Sequence, residues 1–185
     1  MQRTTLIKIH LLLAAFTFPA ALLFLITGGL YTWGVKGSYA SETHTIALES
    51  PLVADAGSLA ALAEAELQRL SVAPPSGAPG IRTVGTSFQM EWTGSRRDVL
   101  LEPTADPLSA RLTVKETTGY RHLVQLHKAK GGVLFKVYAA LFAIALLLIL
   151  ASGFLMAWRE PRYRALAAAW SAAGVLLFVL AAWLS

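Results

Sequence analysis

Cysteine is absent from this 185-residue chain. That excludes disulfide cross-links, iron–sulfur ligation and thiol nucleophiles. It fixes no compartment, because an oxidising space permits disulfides without requiring them. Histidine is scarce, limited to His10, His44, His122 and His127. Charge is scarce too, at 15% of residues against 55% apolar, with a mean hydropathy of +0.54. Soluble domains carry about 25% charged residues, so an ordinary soluble protein is excluded. Signatures of catalysis are missing as well: no G-x-S-x-G, no H-E-x-x-H, no phosphate-binding loop and no C-x-x-C. The net charge of +5 does not signal nucleic acid, because residues 34–132 hold ten basic and ten acidic side chains and are neutral. The excess lies elsewhere.

What is present is three long apolar runs, Leu11–Trp33, Val133–Trp158 and Leu166–Leu184. Each reaches or approaches the roughly 20 residues that an α-helix needs to cross a bilayer. The expected fold class is a membrane protein: three transmembrane α-helices, with a small α+β domain, a helix on an antiparallel sheet, inserted between helices one and two. The segments are 1–33 (cytoplasmic N-terminus and first helix), 34–132 (the domain), 133–158 (second helix), 159–165 (a cytoplasmic turn) and 166–185 (third helix). Arg3, Lys8, Arg159, Arg162 and Arg164 concentrate at ends that share a side if all three helices span. The positive-inside rule makes that side cytoplasmic. The insert then faces outward, which in a bacterium places the chain in the inner membrane with a periplasmic domain. A cleaved signal peptide ending near Ser38-Tyr39-Ala40 is the alternative. The first apolar run is longer than the 7–15 residues typical of a signal h-region, which favours an uncleaved anchor. Tyr31, Trp33, Tyr138, Trp158, Trp170 and Trp183 sit toward helix ends, where amphipathic rings prefer the interface. Pro19 is expected to kink the first helix.

Within the insert, Gly34–Tyr39 reads as a linker and Asp55–Leu70 as a helix with Leu59, Leu62, Ala63, Leu67 and Leu70 on one face. Pro74–Gly80 reads as a loop. Phe88, Met90 and Trp92 then alternate with Gln89, Glu91 and Thr93, Gly94-Ser95 marks a turn, and Val99 and Leu101 continue a strand. Leu108, Ala110, Leu112 and Val114 alternate again. These predict three or four antiparallel strands under one helix. Arg96-Arg97-Asp98 reads as a solvated hairpin tip, with contact to a partner or anionic ligand as the alternative. His44 reads as a surface residue in a linker-like stretch.

The first two helices carry a repeat. Thr27-Gly28-Gly29-Leu30-Tyr31-Thr32-Trp33 and Ser152-Gly153-Phe154-Leu155-Met156-Ala157-Trp158 share [Ser/Thr]-Gly-x-Leu-x-x-Trp. Ile9-His10 and Leu126-His127 precede or open the same two helices. Antiparallel helices put His10 near the depth of Ser152-Gly153, and His127 near that of Thr27-Gly28. Small residues let helix backbones approach, so Thr27, Gly28, Ser152 and Gly153 are candidate packing residues. His10 and His127 are separated by about a membrane thickness, since 23 residues at about 1.5 Å each make roughly 35 Å, and cannot share one iron. Each reads either as an interfacial anchor or as a single ligand. Gln125 and Thr118 are the nearby groups able to orient His127.

In this order of motifs the chain resembles the PepSY-associated transmembrane helix family. Lys8–Trp33 and Tyr120–Trp158, the latter with Gly131-Gly132 before its helix, match the family pattern of a His-bearing basic segment, a helix ending in Thr-Gly, a periplasmic PepSY-like domain and a second His-preceded helix. The resemblance implies an inner-membrane setting, reductases of ferric siderophores among the larger members, and haem b held by membrane histidines, here His127 or His10 as cofactor-binding residues. This chain is shorter than those members and has fewer histidines. A second axial ligand would have to come from a partner membrane subunit or a homo-oligomer. Two functions therefore stand side by side. One is an accessory or redox subunit of an envelope iron or siderophore system with haem at a subunit interface. The other is a non-enzymatic, membrane-anchored interaction protein whose domain binds a partner. No residue is assigned as catalytic, and enzyme activity stays open.

Overall fold

A computed structural model describes residues 3–185; Met1 and Gln2, at the head of the N-terminal segment, and the side chain of Arg3 lie outside the described residues. The elements run α1 (Arg3–Thr32), β1 (Tyr39–Ala47), α2 (Ala56–Arg69), β2 (Pro79–Val84), β3 (Ser87–Thr93), β4 (Arg97–Pro103), β5 (Ser109–Thr117), α3 (Gly119–His127), α4 (Val133–Arg159) and α5 (Pro161–Leu184). They fall into two compact units, one ending at Ala21 and resuming over Ala140–Ser185, the other Leu22–Ala139.

The first unit is helical and holds most of three long helices, whose ends at residues 22–32 and 133–139 belong to the second unit. Thr4–Thr32, Val133–Arg159 and Pro161–Leu184 are long and apolar enough to cross a membrane. No residue of α4 or α5 is buried, and Leu147, Leu150, Phe178 and Trp183 stand open. Apolar surface on this scale needs lipid or another helix to cover it. The third helix starts earlier than its apolar run. Proline suits the first helical position because its φ is preset and its missing N–H has no partner there anyway. Pro161 therefore opens α5 directly after the extended Glu160, and Arg162 and Arg164 ride in its first turn. The turn expected over 159–165 shrinks accordingly. Pro19 lies inside α1, which stays helical across it.

The second unit is built on a five-stranded antiparallel sheet of order β1-β5-β4-β3-β2. Met90, Trp92, Val99, Leu101, Ala110, Leu112 and Val114 line one face and pack on Leu59, Ala63 and Leu67 of α2. Asp55 caps α2, its carboxylate accepting from the Ser58 N–H at 2.8 Å. That bond holds the Asp55 carboxyl below its ordinary range.

The expected three or four strands are corrected to five, because both edge strands were missed. β1 buries only Ile46 and β2 buries nothing. An edge strand covered on neither face shows little period-two alternation. β2 begins at Pro79, a residue tolerated at a strand start because it need not donate to the ladder. The Pro74–Gly80 loop therefore ends sooner than expected. Gly85 at φ +61° opens the two-residue turn into β3, as tight hairpins favour.

Candidate functional site

α3 is a nine-residue helix separate from α4, so His127 closes its own helix rather than opening the second apolar one. The chain stops there by a Schellman motif. Lys130 N–H reaches Gln125 O at 3.0 Å and Ala129 N–H reaches Leu126 O at 2.9 Å, with Ala129 left-handed at φ +57°. The geometry turns the His127 ring onto the end of α1. Its Nδ1 lies 2.9 Å from Thr27 Oγ1. A Cβ added to Gly28 would sit 3.0 Å from its Cε1, and the Phe24 ring lies 5.1 Å away at 47°. Thr27 is 1% exposed.

Hydrogen-bond bookkeeping assigns the tautomer. Thr27 Oγ1 donates its one proton to Leu23 O at 2.7 Å. The hydroxyl can then only accept from the ring, so Nδ1 carries a proton, and in the neutral imidazole Nε2 is the nitrogen with the free lone pair. Among the described residues nothing is hydrogen-bonded to that Nε2.

The helical unit repeats the arrangement. His10 Nδ1 lies 2.9 Å from Ser152 Oγ, and that hydroxyl donates to Ile149 O at 3.0 Å. The same bookkeeping places the proton on Nδ1 of His10. A Cβ at Gly153 would meet His10 Cε1 at 3.5 Å, an ordinary contact. Each of the four small residues singled out by the repeat thus lies against one of the two histidines.

The remaining sequence candidates go elsewhere. Gln125 and Thr118 do not orient His127. Thr118 donates to Ser38 O at 3.1 Å. Gln125 is fully buried and donates toward Tyr39 Oη at 3.1 Å and Asp98 Oδ2 at 3.3 Å. His122 donates from Nδ1 to Ser95 O at 2.8 Å, because a carbonyl can only accept. His44 lies on β1, 3.9 Å from Glu42, and not in a linker. Among the described residues, no three His, Cys, Asp or Glu side chains are grouped to hold a metal ion.

A polar cluster that sequence reading missed joins α3 to the sheet. The expected solvated tip Arg96-Arg97-Asp98 is corrected: Arg97 and Asp98 open β4 and Asp98 is buried. Tyr39 Oη donates to Asp98 Oδ2 at 2.7 Å, and Gly94 N–H donates to Asp98 Oδ1 at 3.1 Å. Arg121 donates to Tyr39 Oη at 2.9 Å and to Lys36 O at 3.0 Å, with its guanidinium over the Tyr39 ring. Burial, followed by the bond to the Asp98 carboxylate, raises the Tyr39 hydroxyl above its ordinary value of 10.0. Gly37, at φ +72°, lets the linker cross close to α3, where a Cβ would sit 2.8 Å from Arg121 N. Arg97 pairs with Glu116 at 2.8 Å. A buried acid is hidden in sequence because it looks like any turn carboxylate; the only signal was its flanking by Gly94 and two arginines.

No protein-family model, curated protein or solved structure matches the chain.

Proposed function

We propose that this chain is a PepSY-associated inner-membrane accessory subunit of an envelope iron or siderophore system, holding haem b at a subunit interface through His127 or His10. One observation carries the reading. Both histidines commit Nδ1–H to a hydroxyl whose own proton is spent, so that in the neutral ring Nε2 is the nitrogen left to ligate. A metal-bound imidazole requires that state, with its other nitrogen oriented by an acceptor. Each site offers one imidazole, so a second ligand would have to come from a partner membrane subunit or a second copy. Haem b so held supplies one-electron transfer. The chain's own part is to fix the ring on Gly28 or Gly153 and to hold a proton on Nδ1. In this reading the sheet unit is the inserted PepSY-like domain and faces the periplasm. The short arginine-rich turn faces the cytoplasm, since long segments translocate regardless of charge whereas short loops obey the bias.

A second reading has its own support. Each site offers a single imidazole, and the polar cluster on Arg121, Gln125 and Asp98 couples α3 to the sheet. A non-enzymatic anchor whose domain binds a partner needs no more than that.

The absorption spectrum of the detergent-solubilised chain, alone and after co-purification from its native membrane, separates the two. A Soret band with reducible α and β bands, lost in His127→Gln or His10→Gln, supports haem binding. A featureless spectrum in both preparations leaves the anchor reading. Reporter fusions at Gly77 and Pro161 test orientation: phosphatase activity at Pro161 alone would reverse it.

A further inference from the structure

The foot of the sheet unit is strongly basic. No Asp or Glu occurs in residues 1–41 or 117–159. The segments that meet there, the end of α1 with its linker and α3 with the turn into α4, are drawn from those two acid-free stretches. Lys36 Nζ and Lys128 Nζ each stand 5.5 Å from the centre of the Tyr31 ring. Two ammonium groups from chain segments about ninety residues apart therefore converge on one aromatic platform. A ring face attracts a cation weakly at an exposed site, but it does not neutralise two like charges. Among the described residues neither lysine forms an ion pair; acids of the sheet unit pair instead with His44, Arg69, Arg82, Arg97 and Arg111.

Position adds a second constraint. Tyr31 lies in the last turn of a membrane-length helix and Lys128 five residues before the next one begins. Both ammonium groups therefore sit at headgroup depth if those helices span. On the topology proposed above this is the side that the positive-inside bias leaves poor in cations, so cations kept there call for an anion to meet.

We propose that Lys36 and Lys128, gathered on Tyr31, form a binding site for the phosphate of an anionic phospholipid headgroup. The two ammonium groups donate to the phosphate oxygens, and the exposed wall of α1 above Tyr31, including Leu30 and Ile26, receives the acyl chains. A lipid seated there fills the side of α1 next to His127 and fixes the lateral position of the sheet unit on the bilayer. The inference rests on membrane insertion of α1 and α4. It is independent of haem, but draws on the topology proposed above through the positive-inside bias.

The test uses the full-length protein in neutral detergent micelles, titrated with fluorescently labelled phosphatidylglycerol and read by anisotropy. Unlabelled phosphatidylglycerol, phosphatidylcholine and inorganic phosphate serve as competitors. Saturable binding is expected, displaced by phosphatidylglycerol and not by the other two. Lys36→Gln and Lys128→Gln should each weaken it about five-fold, the usual worth of one basic residue at an anionic surface, and the double variant about thirty-fold. Arg162→Gln/Arg164→Gln removes the same charge from the first turn of α5 and should leave binding unchanged. Equal weakening by that control, or full retention by K36Q/K128Q, overturns the proposal. Displacement by millimolar inorganic phosphate assigns the site to free phosphate and overturns the lipid. Extraction of the chain from membranes by carbonate would instead remove the premise of insertion, a different failure from loss of the site.

Discussion

The two histidine contacts differ in how tightly their glycines are filled, and the difference separates a pinned ring from a resting one. At the end of α1, Gly28 leaves no room: a Cβ would press to 3.0 Å of His127 Cε1. In the helical unit Gly153 leaves an ordinary 3.5 Å gap to His10. His127 is also backed by α3, whose Arg121, His122 and Gln125 are bonded into the linker and the sheet. His10 has its hydroxyl partner and the helix that carries it. The same short sequence repeat therefore yields one site fixed by a folded domain and one fixed by helix packing alone.

The largest way to break that contrast is to cut the domain's hold on α3. Asp98→Ala leaves the Tyr39 hydroxyl and the Gly94 N–H without their acceptor and removes one acceptor of Gln125, and should cost about 3 kcal/mol of domain stability. Thermal unfolding measures this, and unchanged stability would mean that the cluster is ornamental. The same cluster sets a pH limit. A raised Tyr39 pKa means that the folded state favours the neutral phenol. Its contribution is fully present below the ordinary tyrosine value of 10.0 and is lost as pH rises through the higher folded value. Tyr39→Phe should remove that alkaline loss.

The glycines come next. Gly28→Leu should destabilise by about 2 kcal/mol through overpacking, read as a lower melting temperature in detergent. Alanine discriminates more finely. Replacing a helical glycine by alanine gains about 1 kcal/mol of propensity where space allows. Gly153→Ala should therefore be neutral or stabilising, whereas Gly28→Ala loses that gain to the His127 ring. Identical shifts for the two would erase the distinction between the sites.

The smallest effect concerns how α3 stops. Ala129 and Ser71 both hold the left-handed position of a Schellman motif at φ +57°. Glycine takes that conformation without strain, so Ala129→Gly should stabilise by about 0.5–1 kcal/mol. A loss instead would show that the Ala129 methyl group packs.

Those two helix ends also show where the sequence stops being readable. Both lack the glycine that normally marks a C-terminus. α2 was still legible because Leu59, Ala63 and Leu67 repeat on one face under a large core. α3 was not, because it is only nine residues long and buries one apolar side chain, Val124, beside the amide Gln125, too little to set a hydrophobic period. β3, β4 and β5 were legible from alternation because they occupy the middle of the sheet. β1 and β2 lie at its edges and bury almost nothing. The site was partly legible for a different reason. An antiparallel helix pair brings the start of each helix to the end of the other, so a repeated [Ser/Thr]-Gly step and a repeated His fall at matching depths. Sequence could not say which nitrogen bonds the hydroxyl, since that depends on where the hydroxyl sends its own proton.

That proton is the most direct test of the account. Nitrogen chemical shifts of the imidazoles in ¹⁵N-histidine-labelled protein, in micelles at pH 8, report which ring nitrogen is protonated. His127 and His10 should both read as Nδ1–H with a bare Nε2, and Thr27→Val should release His127 toward the Nε2–H form while leaving His10 unchanged. An Nε2–H signal for both residues in the unaltered protein would contradict the assignment and, with it, the case that either ring is poised to bind a metal.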